Sequence, residues 1–457
     1  MRRNPEKRRS PDVPREAAWR ILLDWEAGEE SLESLRDSFF SRSRLSRNDR
    51  ALITELTQGV VRHRLFLEHN VLGRLDHPDA SLPEPVRQTL FLGTYQLLLL
   101  DRIPSHAAVD QSVRMIKGSN FAGFAPLVNA VLRKISSSQA VPLPDPDEDP
   151  VRHMVVATST PRWLVESLAA QEGNRETLHI LQALNRKPPL TLRVNTLKIN
   201  RWELLEELES SEIPARPGKI SDTAVILDGG ASPTQLPSFL AGRCAIQDEG
   251  AQMIAPLLSP LPGLRILDGC AAPGGKTGHL AQIIGDSGSI VAADKGLSRV
   301  RMMTEGLSRL GIKAVNCLTA DLSPEGSPFR PGSFDLVLLD APCSGTGVLR
   351  RHPEGKWIKD LSAISDLAAQ QEALLASAAD LLSPGGSLLY CTCSLLRMEN
   401  EDIVDRFLSA AHGIKRLDMR EVHPRLKPDI FTERGELRLW PHRHDCDGFF
   451  ACLMEKR

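Results

Sequence analysis

Apolar side chains in the first part of the chain recur at helical spacing. The segment Ala17-Ala-Trp-Arg-Ile-Leu-Leu-Asp-Trp25 places them at i, i+3 and i+4, and residues 52–75, 86–100 and 109–116 repeat the pattern. Few segments there alternate with period two, so residues 1–135 are predicted to form an all-α domain. Residues 136–150 are small, acidic and proline-rich, which reads as a solvated linker. Residues 151–245 mix the two periods. A helix is expected to open at Pro161 after Ser159-Thr160, residues 190–197 alternate as a strand, 202–208 read as a helix and 224–228 as a strand. This predicts a small α+β module. From 246 to 457, strands at 264–268, 289–294, 314–320, 334–340 and 387–391 are separated by helical stretches, one from about Lys276 and one over 298–310. A βαβ series of this kind predicts an α/β domain with a mostly parallel, Rossmann-like sheet and helices on both faces.

Composition changes this picture little. Of 457 residues, 41% are apolar and 25% charged, the balance of an ordinary soluble chain. The net charge of -2 means that any nucleic-acid site must come from local basic clusters, not from a global field. Residues 1–10 form one such cluster, and composition does not separate an arm that touches RNA from a solvated tail. The apolar run 97–100, flanked by Arg87, Asp101 and Arg102, is too short to span a bilayer. Eight cysteines without an apolar leader suggest reduced thiols in a cytoplasm, and a monomer is expected.

Chemistry concentrates at the ends of the expected parallel strands, where open α/β sheets bind ligands. Cys343 follows the strand 334–340 and Cys393 follows 387–391, so both thiols are predicted to face one site. A thiolate is well suited to reversible addition at an electron-poor ring carbon, which points to a pyrimidine. The loop Asp268-Gly-Cys-Ala-Ala-Pro-Gly-Gly-Lys276-Thr277 joins the first strand to the first helix. A phosphate loop would need glycine where Cys270 stands, and the dinucleotide spacing of glycines also fails. Asp294 and Asp321 end the next two strands. They suit ribose hydroxyls and an adenine amino group, although aspartate also ends strands merely as a turn residue. A sulfonium cofactor beside these acids, S-adenosylmethionine, fits better than ATP.

Cys270-Ala-Ala-Pro-Gly-Gly-Lys276, Asp340-Ala-Pro-Cys-Ser344 and Thr392-Cys-Ser394, with Arg351-His-Pro353 and Asp447-Gly-Phe-Phe450, resemble the RNA cytosine-C5 methyltransferases of the NOL1/NOP2/Sun family. Ile103-Pro-Ser-His-Ala-Ala-Val-Asp110 and Leu127-Val-Asn-Ala-Val-Leu-Arg133 are similar to segments of NusB-type RNA-binding domains. The resemblance implies a class I methyltransferase fold acting on small-subunit ribosomal RNA, with a transfer RNA as the alternative substrate. Cys393 would be the nucleophile and Cys343 would release the product. Cys270, Ala271, Ala272, Pro273, Gly274, Gly275, Lys276, Asp294, Asp321 and Asp340 would hold S-adenosylmethionine. The lead-in Gln247-Asp-Glu-Gly-Ala-Gln252 departs from the family pattern, and a packing change is expected there.

The residues alone leave the division of labour between the two thiols open, because DNA cytosine-C5 methyltransferases use the cysteine of a Pro-Cys motif, which is Cys343 here. Asp340 is expected to act as a protonated carboxyl, or to share a proton with the base, during addition. Cys244, Cys317, Cys391 and Cys452 read as core. His442, His444 and Cys446 lack a second pair at zinc spacing and read as a polar loop, so no metal is expected. Arg350, Arg351, His352, Lys356, Trp357 and Lys359 read as a surface for phosphates and a stacked base, or as a charged loop capping a helix. The rival readings are a non-catalytic RNA-binding factor on a vestigial fold and a phosphate-loop ATPase.

Overall fold

The computed structural model describes residues 13–457 apart from 29, 79–80, 139, 230–231 and 412. The basic arm 1–10 lies outside the described residues. The chain divides into two compact units, one of residues up to Leu181 with His352–Ile358, the other of Gln182–Arg351 with Lys359–Arg457.

The first unit is helical, and the helices Val13–Glu26, Arg47–Arg62, Glu84–Leu99, Ser105–Lys117 and Ala125–Ser136 supply most of its core. Leu22, Ile53, Leu56, Leu67, Leu90 and Leu132 are fully buried on the faces their periodicity marked. Gly59 lets two helices approach closely, since a Cβ there would lie 2.0 Å from the Tyr95 ring. The single helix expected over 52–75 is instead two, Arg47–Arg62 and Arg64–Leu72, broken at His63.

Capping from distant segments accounts for the break. Lys356 Nζ donates to the carbonyls of Arg62, Thr158 and Ser159 at 3.1–3.3 Å, and Trp357 Nε1 donates to Val61 at 2.9 Å. The next helix begins with its Leu65 amide donating to Ser159 Oγ at 2.6 Å. The lysine amine gives donors to the carbonyl ends of two helices, while burial, then Arg62, lowers its pKa to about 7.

The stretch 136–150, expected as a solvated linker, is tied down in part. The Val141 amide donates to Asn70 Oδ1 at 2.8 Å, and the carbonyls of Pro142 and Pro144 meet His69 and His153 at 3.0 and 2.8 Å. The helix Pro150–Ala157 and the first part of Arg162–Asn185, expected with the α+β module, group with this unit.

The second unit carries two sheets. β1 (Leu190–Val194), β2 (Ala215–Pro217), β3 (Ala224–Leu227) and β4 (Cys244–Ile246) form an antiparallel sheet of order β2-β3-β1-β4. The larger sheet contains β5 (Arg265–Gly269), β6 (Ser289–Asp294), β7 (Val315–Thr319), β8 (Phe334–Asp340), β9 (Leu382–Thr392), β10 (Ile414–Arg416), β11 (Leu437–Leu439) and β12 (Phe449–Lys456). Its order is β10-β12-β9-β8-β5-β6-β7, with β11 also on β12. The five strands from β7 to β9 are parallel, and β12 runs antiparallel to β9. The near-continuous apolar runs of β6 and β8 suit strands covered on both faces, whereas β7 at the edge is largely uncovered. Order reverses at β5, so β5, β6 and β8 end around one crevice.

Candidate active site

The carboxyl ends of these strands open on a cavity of about 400 Å³ whose lining includes Cys270, Ala272, Asp294, Asp321, Asp340, Cys343 and Cys393. Cys343 and Cys393 are half-buried, with Sγ atoms 3.4 Å apart. Cys393 follows β9 and Cys343 follows β8, and the pairing of these strands sets Asp340 opposite Cys391. That register brings the two following loops together. A hydrogen bond to Cys393, then burial, pushes the Cys343 thiol well above its ordinary pKa, which keeps its proton. Burial, with Asp340 beside it, pushes Cys270 up to about 12, so this third thiol stays protonated. Cys391 is buried with its Sγ 3.5 Å from Asp340 Oδ1. Cys244 and Cys452 are core as expected, whereas Cys317 on β7 is only half-buried.

Asp340 is not the free neutral acid that the residues suggested. Lys276 Nζ lies 2.5 Å from its Oδ2, so the carboxylate that lines the cavity is already ion-paired. Burial would lower the Lys276 pKa, but Asp340 outweighs it and the net shift is upward. Asp294 accepts the amides of Ala272 and Gly296 at 3.3 and 2.9 Å and pairs with Arg299 at 2.7 Å, leaving its side chain 1% exposed. Asp321 is exposed and accepts the Ser323 amide at 2.9 Å.

Ala271, Pro273, Gly274, Gly275 and Lys276 do not line the cavity. Gly274 has φ 94°, and a Cβ there would meet Met303 Cγ at 2.6 Å. Ala293, Lys295, Arg299, Leu322, Pro342, Gln370 and Leu374 also line the cavity and were not singled out from the sequence.

Sequence reasoning also missed the groups that hold the two cysteine loops. Glu399 is fully buried and accepts from the Ser344 amide at 2.7 Å, from Ser344 Oγ, from Ser394 Oγ at 2.5 Å and from Gln371 Nε2 at 3.1 Å. One carboxylate therefore clamps the residue after each cysteine. Lys359 Nζ adds bonds of 3.0 Å to the Cys343 and Ser344 carbonyls. Gly347 admits no side chain, since a Cβ would lie 2.8 Å from the Cys393 oxygen and 2.3 Å from that of Gly448.

Arg193 of β1, fully buried, donates to Gln247 Oε1 and to the Gly275 carbonyl at the start of the helix Gly275–Ile283. It couples the small sheet to the glycine loop after β5. The unusual lead-in is also stitched in place, because Glu249 accepts the Ser221 amide at 2.9 Å and Asp248 accepts the Asp447 amide at 2.8 Å.

The basic run after Cys343 is spent internally. Arg350 pairs with Asp447 at 2.6 Å and Asp248 at 3.3 Å, and Arg351 pairs with the same two carboxylates at 2.6 Å each. Lys356 and Trp357 are the helix caps described above. His444, beside His442 and Cys446, accepts the Trp440 amide at 2.9 Å.

This arrangement has close relatives. The family model for 16S rRNA methyltransferase RsmB/F matches residues 255–455, the NusB family model matches 12–137, and a ferredoxin-like domain model of RsmF/B-like methyltransferases matches 160–233. A probable ribosomal RNA small subunit methyltransferase B of Bacillus subtilis is 33% identical over 97% of this chain and 98% of its own length. The chain belongs to the RsmB/F methyltransferase family. The ribosomal RNA small subunit methyltransferase B of Shewanella oneidensis is 37% identical over 90% of this chain and 92% of its own. Among solved structures, that of PH0851 superposes with a TM-score of 0.80 at 27% identity, covering 99% of this chain and 100% of that one. A methyltransferase homologue of Pyrococcus horikoshii gives 0.58 at 28% identity, over 68% of this chain and 99% of its own.

The family's cofactor is S-adenosylmethionine, and the cavity fits it. Ala272, Ala293, Ala320 and Leu322 offer apolar walls for a purine, and the exposed carboxylate of Asp321 offers a polar partner on the same lining. Among the described residues no helix is long and apolar enough to cross a membrane.

Proposed function

We propose that this enzyme methylates C5 of a cytosine in small-subunit ribosomal RNA through a transient covalent adduct. The observation that carries the reading is the pair of thiols 3.4 Å apart on the same cavity as Asp340. One cysteine could serve an ordinary nucleophilic step, whereas two adjoining thiols suit a reaction that both adds to a ring and later eliminates from it.

The Cys393 thiolate adds to C6, forming a C–S bond. The C5–C6 π electrons move to C5, made enamine-like, while the charge that would fall on N3 is met by a proton held in the Asp340–Lys276 pair. S-adenosylmethionine, when bound, would supply an electrophilic methyl group to C5 and keep the electrons of the broken carbon–sulfonium bond. Cys343 stays a thiol throughout and acts as a relay, passing its own proton to solvent as it takes the C5 proton. The C5–H electrons reform the C5–C6 bond and expel Cys393. The family resemblance, with attack by the cysteine of the Thr-Cys-Ser motif and release by that of the Pro-Cys motif, gives Cys393 the attack and Cys343 the proton transfer. Asp294 and Asp321 would hold the adenosine half of the cofactor, and Ala271, Pro273, Gly274 and Gly275 would form the loop that receives it.

The test is transfer of labelled methyl from S-adenosylmethionine to small-subunit RNA, with denaturing gels to detect a protein–RNA adduct. Cys343→Ala is expected to accumulate the adduct and release little product. Cys393→Ala is expected to form none. Adduct in Cys393→Ala and its loss in Cys343→Ala would reverse the assignment. Label in transfer RNA alone would overturn the substrate.

A further inference from the structure

With the basic run at 350–359 consumed by internal ion pairs and helix caps, an RNA substrate needs another positively charged surface. The second unit contains one. A cavity of about 220 Å³ is lined by Arg201 at the start of the helix Arg201–Ser210, by Lys219, Ser221 and Asp222 after β2, and by Arg425 and Lys427 before Ile430. Four cations face one acid in that lining. Arg425 and Lys427 are exposed, and among the described residues neither has an ion-pair partner. Lys219 has only a long contact, 3.5 Å to Asp445, with both side chains more than half exposed. Arg201 is anchored by its bond to the Ser221 carbonyl at 3.2 Å and by stacking on Trp202.

The same module carries a second cavity of opposite character. About 650 Å³ in volume, it is lined by Glu206, Glu209, Glu212 and Asp228, with Arg216 already paired to Asp228 at 3.1 Å. A polyanion is repelled there and attracted at the first cavity. Charge is thus segregated on the module although the whole chain is nearly neutral.

We propose that Arg201, Lys219, Arg425 and Lys427 form a phosphate-binding groove that holds the backbone of the RNA substrate beside the catalytic sheet. This rests on the reading of the substrate as RNA and adds where that RNA is gripped. Contacts of this kind position a nucleic acid without reading its sequence. Each cation on a phosphate releases a condensed counterion, so binding should weaken steeply with salt.

The test uses the full chain carrying Lys219→Glu, Arg425→Glu and Lys427→Glu together, with a small-subunit RNA fragment followed by fluorescence anisotropy. Affinity is expected to fall at least about tenfold near 0.1 M salt, and the slope of log affinity against log salt to shrink by about 2. S-adenosylmethionine affinity and melting temperature are expected to stay at wild-type values. The triple glutamine variant should lie between, and it carries the test alone if charge reversal disturbs folding. Reversing Glu206, Glu209 and Glu212 to lysine should not weaken binding. RNA affinity within twofold of wild type, with an unchanged salt slope, would overturn the groove. Failure of the wild-type enzyme to methylate small-subunit RNA would instead overturn the substrate reading, and the charge variants would still lose affinity for other RNAs.

Discussion

Replacing Glu399 with alanine should cripple catalysis without touching a reacting atom. The carboxylate receives four donors, two from Ser344, one from Ser394 and one from Gln371, and it is fully buried. A hydrogen bond to a charged group is worth about 1.5–3 kcal/mol, but the four do not add, because the carboxylate also loses its hydration on burial. Its loss leaves neutral buried donors without an acceptor, at about 1–3 kcal/mol for each that finds no other partner, and a stability loss of about 2–4 kcal/mol is expected in urea unfolding. The catalytic loss follows from position. Ser344 and Ser394 directly follow Cys343 and Cys393, so slack of about 1 Å in either loop is expected to lower kcat about 100-fold. Glu399→Gln separates charge from geometry. Its oxygen can keep the Ser344 amide and Gln371, and its NH₂ can donate to the two serine hydroxyls, which rotate to accept. It should recover most of the rate. Methyl transfer measured at saturating S-adenosylmethionine and RNA decides the matter. If Glu399→Ala keeps kcat within twofold of wild type while losing stability, the carboxylate braces the fold and does not set the thiols.

Three further outcomes are expected. Burial raises the Asp268 pKa to about 7, above the ordinary carboxyl value of 3.8, so between these pH values the folded state binds more protons than the unfolded chain. Stability should therefore fall as pH rises from about 4 to about 7, by up to about 4 kcal/mol from this group, and then level off. Asp268→Asn should flatten that slope in denaturant titrations, and an unchanged slope would place its cause elsewhere. Arg193→Met should weaken S-adenosylmethionine binding about tenfold by calorimetry, since about 1–2 kcal/mol of loop ordering is lost with the bond to Gly275, and equal affinity would show that the loop holds itself. Lys356→Met leaves three carbonyls short of a donor and should lower the stability of the helical unit by about 2–4 kcal/mol, seen as faster amide exchange at the helix ends around His63.

Legibility followed the range of the interactions. β6 and β8 occupy the spans that their apolar runs marked, because a strand covered on both faces announces itself locally. The three-residue strands β2, β4, β10 and β11 carry no such signal, since a few hydrogen bonds to a longer neighbour define them. The broken helix at His63 was illegible for a related reason. Its cause is a lysine and a tryptophan nearly three hundred residues away in sequence. The thiols and the acids were legible because their chemistry is rare and each ends a recognisable strand. Glu399, Lys359 and Arg193 were not, because a carboxylate, an ammonium and a guanidinium gain a role only from the loops that meet around them.

The basic run at 350–359 shows where local reading misleads. A cluster of cations with one tryptophan has the composition of an RNA surface, yet composition is silent on which way the side chains face. Arg350 and Arg351 meet the two carboxylates of Asp248 and Asp447, and leaving any of the four unmatched in so buried a place would be costly. Lys356 is 1% exposed and finds three carbonyls at helix ends. These residues follow Cys343 directly, so their ion pairs fix the chain leaving the catalytic loop. The cations proposed to meet a polyanion stand apart in sequence instead, at 201, 219, 425 and 427, and line one cavity. A scattered set of this kind becomes a surface only when the fold assembles it.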